Sequence, residues 1–348
     1  MTDLPKALTQ VFTGIVPAKP VSVAAAAPVE IDFDAAAEVM KIDYGVILPK
    51  EAPKVLSFPK PGFELTDDQL IARMDRSFGL APSAGVFLGA FAGKRCAICG
   101  SGASIADAET IRTLRRMQKD GVCIIAVNKT IDFLAKRFLK VDIGVLCDPQ
   151  KIVATYVKRK HPQTRFFIAS QCHDDVFTEI KKLSPHVYVW HAVSSGPESE
   201  RKGLYERETK LFEGRDQNYW IRISGGTTVG LRTMFMAFAF QFGEINLLGF
   251  DSSFRNGKLY GVDKPNANLN EIRYVVKSRE GEQVFTSNQA MARQAAEFTK
   301  RVLELAKAKV PIADILVVHG TGAIPYQAAL FGMHANPAYN AVPSLAAG

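Results

Sequence analysis

From Lys94 onward, short apolar runs alternate with longer segments whose apolar residues recur at helical spacing. The apolar runs predict strands near 95–99, 122–127, 142–147, 165–170, 187–192, 244–249 and 313–318. The segments between them predict helices near 105–119, 131–139, 150–159, 174–183, 227–242 and 287–309. Because parallel strands need crossover connections that are usually helical, this alternation predicts an α/β domain with a doubly wound, mainly parallel sheet.

The residues outside this pattern define the other parts of the chain. Residues 1–64 are rich in alanine and proline and lack periodicity, which predicts an extended N-terminal arm. Thr66 follows as a capping residue, so 65–93 are expected to form a helix and a linker. We place the sheet domain at 94–325, with a polar insertion at 251–286, and a C-terminal tail at 326–348. The arm could lie across a second subunit, which leaves a homo-oligomer open.

The composition narrows the function classes. The chain has 348 residues, of which 47% are hydrophobic, enough for a sizeable core. Its apolar runs stop short of the roughly 20 residues that span a bilayer, so we expect no membrane contact. The absence of an apolar signal sequence and an odd number of cysteines, five, predict a reducing, cytoplasmic location. A net charge of +8 would attract nucleotides, phosphorylated metabolites or nucleic acid.

Two glycines stand at the first junction between a strand and a helix, in the stretch ICGSGAS. Gly100, Ser101 and Gly102 are small enough for a ligand to approach the backbone. Ser104 could cap the next helix, with Asp107 in the capping-box position. Unpaired amides at such a helix start suit a phosphate group. The third glycine of the dinucleotide fingerprint and the lysine of a P-loop are both absent, so a tight turn without a ligand is the alternative.

Polar residues also follow the next two strands, and the carboxyl ends of parallel strands share one edge of the sheet. Asn128 and Lys129 could contact a ribose, a base or a phosphate, although Asn128 could instead cap a helix. Asp148 could bind magnesium, bind a ribose or transfer a proton, although an aspartate before proline is also an ordinary helix starter.

Later strands and helices offer further candidates at the same edge. A second glycine cluster, SGGTTVGL, opens a predicted helix with Gly225, Gly226 and Thr227, and Asp251 follows the strand after it. We expect the two glycine clusters to hold both ends of a nucleotide. His191 and His319 follow strands and could act as acid or base, although a lone histidine there is more often structural.

The ordered set ICGSGAS, AVNKT, VLCDP, SGGTTVGL and LLGFDSSF resembles the family of 6-hydroxymethylpterin diphosphokinase MptE-like proteins. That family shares a Rossmann-like core with bacterial sialyltransferases and with the central domain of the flagellin-glycosylating motility accessory factors. The strings FFIASQCHDDVF, VYVWH and SNQAMARQAAEF are similar to versions found in bacteriophages and prophages. The resemblance covers about 94–322. It implies nucleotide binding by Gly100, Ser101, Gly102 and Asn128 on one side and by Gly225, Gly226 and Thr227 on the other.

One departure from the family pattern bears on catalysis. Many relatives carry a histidine shortly after the position of Asp251, whereas this chain reads FRNGKLYGVDK there and has none. If that histidine is catalytic in the relatives, this chain either uses Tyr260, His191 or His319 instead, or only binds its ligand.

The resemblance implies a nucleotide-dependent transferase. In one form it moves diphosphate from ATP to a hydroxyl acceptor, with Mg²⁺ held by Asp148 or Asp251. In the other it moves a sugar from a nucleotide-sugar of the CMP or CTP type to a small molecule or glycan. Two alternatives stay open: a non-catalytic binding or structural module of phage origin, and a nucleic-acid modifying enzyme.

Overall fold

The protein is built around one large parallel sheet, as seen in a computed structural model of the chain. The structure describes residues 46–47, 65–193, 202–216, 219–223, 228–255, 257–258, 260–262, 271–278, 281–307 and 310–336. Its strands are β1 Val46–Ile47, β2 Arg95–Cys99, β3 Cys123–Val127, β4 Ile143–Leu146, β5 Arg165–Ala169, β6 Val187–Ala192, β7 Arg222–Ile223, β8 Glu244–Leu248, β9 Ile272–Ser278, β10 Gly281–Ser287 and β11 Leu316–Val318.

The helices lie between these strands, as the alternating pattern predicts. They are α1 Asp67–Ser77, α2 Ala108–Lys119, α3 Thr130–Ala135, α4 Asp174–Lys181, α5 Lys202–Leu211, α6 Val229–Ala239, α7 Gln289–Lys307, α8 Ile312–Ile315 and α9 Ala323–Leu330. Thr66 caps α1 through a capping box with Gln69, as the sequence indicates. None of the helices in the described ranges has both the length and the apolar character needed to cross a bilayer.

The eight strands of the large sheet are all parallel and follow the order β11-β8-β2-β3-β4-β5-β6-β7. The chain starts in the middle at β2, adds strands outward to β7, and then returns to place β8 on the other side of β2. This reversal makes the boundary between β2 and β8 the topological switch point. The predicted doubly wound, Rossmann-like α/β fold is confirmed.

The core explains why the strands contain continuous apolar runs. Strand β2 is exposed only at Arg95 and is buried from Cys96 to Cys99, and β4 is buried along its whole length. Strands covered on both faces need no polar alternation. Helix α6 is apolar around most of its surface, and it packs across β2, β3 and β4.

Two predicted helices are shorter than expected. The segment predicted as a helix near 150–159 forms only a 3-10 turn, Lys151–Thr155. The residues after this turn contact the buried carboxylate of Asp132 instead of continuing a helix. Asp132 Oδ2 accepts from the Lys158 amide at 3.0 Å, and Oδ1 lies 3.1 Å from His161 Nε2. The helix predicted near 131–139 ends at Ala135, and Phe138 takes a left-handed conformation.

The polar insertion contains structure that the sequence analysis missed. Strands β9 and β10 pair as an antiparallel hairpin, and Val46–Ile47 of the N-terminal segment adds an antiparallel edge strand to β9. The hairpin rests on α9, where Gln327 donates a hydrogen bond from Nε2 to the Tyr274 hydroxyl at 2.8 Å. The alternating sequence of β9, IRYVVKS, carries the strand signal.

Candidate functional site

The loops that follow β2 and β8 meet at the switch point, where doubly wound sheets bind their ligands. The Gly100 amide donates to the Leu248 carbonyl and the Gly102 amide to the Gly249 carbonyl, each at 2.8 Å. The loop after β8 therefore lies directly against the glycine turn after β2.

Close packing between these loops requires the small residues of the turn. A Cβ atom at Gly100 would lie 2.5 Å from the Gly249 carbonyl oxygen. One at Gly102 would lie 2.7 Å from the same oxygen and 2.6 Å from Asp251 Oδ2. Both distances are far inside van der Waals contact, so a larger residue would force the loops apart. This packing is by itself a sufficient reason for the small residues of the turn. Nucleotide binding by Gly100, Ser101 and Gly102 stays a prediction.

Ser104 does not cap the helix, which corrects the sequence analysis. Helix α2 begins at Ala108, and Ser104 is buried within a separate 3-10 turn, Ala103–Ala106. The Ser104 amide donates to Asp251 Oδ2 at 2.6 Å, so a protein carboxylate receives the amide that we expected to face a phosphate. Asp107 makes no capping hydrogen bond, and its carboxylate pairs with Arg255 instead.

Asp251 is a buried acid with an unusual protonation equilibrium. Its side chain is almost fully buried, and burial raises the pKa of its carboxyl group to about 6, against the opposing effects of Ser104 and of the charge of Arg255. Oδ1 accepts no hydrogen bond from any described residue. A carboxyl group with this pKa can exchange a proton near neutral pH, which suits a general base.

Asn128 and Lys129 lie in the loop after β3, which is the next loop along this edge of the sheet. Asn128 has a φ of 47°, and its Oδ1 accepts from the Cys147 amide at 3.2 Å, so its side chain ties the end of β3 to the end of β4. It does not cap α3, whose N-cap is Lys129. Lys129 Nζ lies 5.1 Å from the centre of the Tyr156 ring. Their contacts with a nucleotide stay predictions.

Asp148 lies further along the same edge. Its Oδ1 accepts from the Gln150 amide at 2.8 Å, and burial raises the pKa of its carboxyl group against this hydrogen bond. Asp148 follows β4 and Asp251 follows β8, three strand spacings away, which is roughly 14 Å. Magnesium binding by Asp148 or by Asp251 stays a prediction. Within the described residues, no group of three or more His, Cys, Asp or Glu side chains could hold a metal.

His191 lies far from the switch point. It lies near the end of β6, four strand spacings or roughly 19 Å from β2. Its Nδ1 is 2.8 Å from the Ser170 hydroxyl and its Nε2 is 3.8 Å from Glu208, all inside the core. Burial lowers the pKa of His191, and Glu208 opposes this shift. The catalytic role of His191 stays a prediction, and its ring lies four strands away from the glycine turn, in contact with Ser170.

His319 and Tyr260, by contrast, lie beside the switch point. His319 Nε2 is 2.8 Å from Asn246 Oδ1, and burial together with His334 lowers its pKa to about 4, so its imidazole is neutral at pH 7. The Tyr260 backbone forms an antiparallel bridge with Gly102, which places Tyr260 over the glycine turn.

A pocket of about 490 Å³ opens beside these residues, between α2 and the loops after β8 and β11. It is lined by Asp107, Glu109, Thr110, Thr113, Arg116, Leu248, Arg255, His319, Gly320, Thr321, His334, Ala335 and Asn336. Gly320 lies beside Asp251, since a Cβ atom at Gly320 would be 3.6 Å from Oδ1. The pocket thus combines hydroxyl, cationic and carboxylate groups next to the buried acid.

Some predicted residues lie outside the described part, and some observed ones were missed. Gly225, Gly226 and Thr227 fall outside the described residues. The sequence did not indicate Arg255, Arg116, His334 or Glu208 as candidates. Arg255 stands four residues after Asp251, and this short spacing could have suggested that its charge acts on Asp251. Glu208 lies on α5, a helix that the sequence pattern did not predict.

Comparison with known proteins gives a matching family and similar solved structures. Residues 70–257, more than half of the chain, match the family described as 6-hydroxymethylpterin diphosphokinase MptE-like. The MAf glycosyltransferase from Magnetospirillum magneticum AMB-1 is similar with a TM-score of 0.46 and 13% identity, covering 71% of this chain and 36% of that one. The chain therefore spans about a third of the length of that structure. No curated protein matches the sequence.

Proposed function

Because the chain belongs to the 6-hydroxymethylpterin diphosphokinase MptE-like family, we propose that it is a nucleotide-dependent transferase acting on a hydroxyl acceptor. Family membership supports a transferase-like function in general. The nucleotide, the transferred group and the acceptor are parts of the proposal.

The observation that carries this proposal is the environment of Asp251. A buried carboxyl group with a pKa of about 6 and an unpaired oxygen lies at the switch point, beside a polar pocket. Desolvating a carboxylate is unfavourable, so a buried acid with raised pKa is a functional candidate. We assign it the role of general base, which takes the proton of the acceptor hydroxyl.

Two forms of the reaction use this base. In a diphosphate transfer, the acceptor oxygen attacks the β-phosphorus of ATP. The bond from the β-phosphorus to the oxygen that bridges it to the α-phosphorus breaks, and AMP leaves with that oxygen. In a sugar transfer, the oxygen attacks the anomeric carbon and the nucleotide of a CMP-type donor leaves. In both, the acceptor proton passes to Asp251 Oδ1. His319, which is neutral and lines the pocket beside Asp251, orients the acceptor through a hydrogen bond.

Magnesium fits this arrangement only as an ion that the nucleotide itself helps to hold. Asp148 would contribute one carboxylate, and oxygen atoms of the donor phosphates would supply further ligands. Bound there, the ion would neutralise phosphate charge. The diphosphate form of the proposal requires it, whereas the sugar form does not.

A ligand screen tests the proposal. Thermal unfolding is measured with ATP, CTP, CMP and a CMP-sugar, each with and without Mg²⁺. A nucleotide at about 100 times its Kd should add about 2.7 kcal/mol to the free energy of unfolding. Release of AMP or CMP is then followed with hydroxyl acceptors. Asp251→Asn should keep the thermal shift and lower kcat by at least about 100-fold. Absence of any nucleotide-induced shift in the wild-type protein would refute the proposal.

A second candidate is a binding module without catalysis. The observation in its favour is that the Asp251 carboxylate and the Tyr260 backbone already contact the glycine turn where a donor phosphate was expected. A thermal shift with one nucleotide and no turnover with any acceptor would support this candidate over the transferase.

A further inference from the structure

Phe138 is placed in a way that neither packing nor backbone preference explains. Its relative exposure is 94%, the highest of the exposed large hydrophobic residues described. Its φ is 60°, in the left-handed region that favours glycine. It occupies the position after α3 where helices commonly end with a glycine. A bulky aromatic residue here is unfavourable for the fold on both counts, which points to a role outside the fold.

The turn that presents Phe138 is held firmly. The Phe138 amide donates to the Ala135 carbonyl at 3.0 Å, and the Leu139 amide donates to the Leu134 carbonyl at 3.2 Å. Leu139 is buried and anchors the turn in the core. Helix α2 adds two hydrogen bonds, from Arg115 to the Arg137 carbonyl and from Gln118 to the Lys140 carbonyl. The aromatic ring is therefore presented by an ordered backbone.

Positive side chains lie on the helix that contacts this turn. Residues three and four positions apart share one face of a helix, and one face of α2 carries four exposed cations. We call this face, together with Lys136 of the turn, the α2 basic stripe: Arg112, Arg115, Arg116, Lys119 and Lys136. None of the five forms an ion pair with another described residue. The acidic residues of the helix and its C-cap lie at its two ends, at Glu109 and Asp120.

We propose that the α2 basic stripe and Phe138 bind a single-stranded nucleic acid. Lysine and arginine side chains neutralise the phosphates, and an exposed aromatic ring stacks on an unpaired base. In a duplex the bases are already stacked, so the ring favours a single strand. An anionic membrane fits less well, because Phe138 offers a single exposed aromatic ring, and stable membrane binding needs more buried apolar area.

The stripe leads towards the pocket described above. Arg116 belongs to both, since it lies on the stripe and lines the pocket. A single-stranded nucleic acid bound along α2 would therefore have one end near Asp251. The binding proposal does not depend on the proposed transferase activity, because it rests on surface residues that touch neither Asp251 nor the glycine turn.

The test is fluorescence anisotropy with labelled oligodeoxythymidylate and oligouridylate of about 12 nucleotides, without any nucleotide ligand. Both are expected to bind at low salt. If four phosphates are neutralised, log K against log salt should fall with a slope of about −3. Phe138→Leu keeps an apolar side chain on the same strained backbone but removes the aromatic ring, and it should weaken binding by at least about 5-fold. Phe138→Tyr should bind as the wild-type protein does.

A matched pair of double variants tests the stripe. Arg112→Ala with Lys119→Ala removes two exposed cations seven positions apart on α2. Arg293→Ala with Lys300→Ala removes the same residue types at the same spacing on α7, where both are also exposed. Only the α2 pair should weaken binding, by about 10-fold, and reduce the salt slope by about 1.4. Thermal shifts with nucleotides should be unchanged in it, which separates this proposal from the transferase.

Three results would overturn the inference. The first is no binding of either oligonucleotide at low salt. The second is equal weakening by the α2 and α7 pairs, which would indicate a general effect of charge. The third is a Phe138→Leu variant that binds oligonucleotide as tightly as the wild-type protein. In that case, co-sedimentation of the variant with anionic vesicles would identify a membrane surface instead.

Discussion

Asp251→Asn should change how the stability of the protein depends on pH. The pKa of the Asp251 carboxyl group is about 6 in the folded protein and 3.8 as its ordinary value. Between these two values the folded protein retains a proton that the unfolded chain has released. The free energy of unfolding must therefore fall as pH rises through this window, and stay level above it.

The magnitude follows from the size of the shift. A difference of about two pH units corresponds to about 3 kcal/mol, which is the unfavourable contribution of the ionised Asp251 near pH 7. The physical cause is loss of solvation, which the Ser104 amide at 2.6 Å offsets only in part. Asparagine has nearly the same shape but no charge, so it removes the pH-dependent part and leaves a constant offset.

The assay is urea unfolding of the wild-type protein and Asp251→Asn between about pH 4 and about pH 7, followed by tryptophan fluorescence. The stability of the variant relative to the wild-type protein should rise by about 3 kcal/mol across this range. Asp314→Asn, which removes an exposed carboxyl group, is the control for the loss of one negative charge. A stability difference that stays constant with pH would refute the reasoning, because it would mean that Asp251 titrates alike in both states.

Three further predictions concern packing, charge and strain. Gly102→Ala should lower the free energy of unfolding by about 1–3 kcal/mol, because its Cβ would collide with the loop after β8. Gly203→Ala on α5, where nothing lies within 4 Å, should instead be neutral or stabilising by up to about 1 kcal/mol in the same urea assay. Glu208→Gln should lower the pKa of His191 further, as measured by NMR titration, because Glu208 opposes the effect of burial; an unchanged pKa would contradict the pairing. Phe138→Gly should raise the midpoint of thermal unfolding, because glycine adopts a φ of 60° without strain, and a lowered midpoint would show that the ring packs in the fold.

Much of the candidate site could be located from the sequence, but not its internal contacts. The strand ends were predicted within about one to three residues, and this was enough to place Gly100, Asn128, Asp148 and Asp251 at the carboxyl edge of one sheet. That Ser104 donates to Asp251, 147 positions later, could not be predicted, because no local pattern encodes which loops meet. The partner of the glycine turn was expected to be a phosphate, and the structure places a protein loop there.

The sequence by itself determined the central strands of the large sheet and most of the helices between them, because hydrophobic periodicity and capping act over a few neighbouring residues. It also determined that the sheet would be parallel, since strands and helices alternate. Tertiary structure alone decided that β8 returns to the far side of β2, and this placement creates the switch point. Tertiary structure likewise decided that Asp251 is buried, which shifts its pKa, and that Phe138 is exposed to solvent. Both outcomes depend on which distant segments pack around a residue.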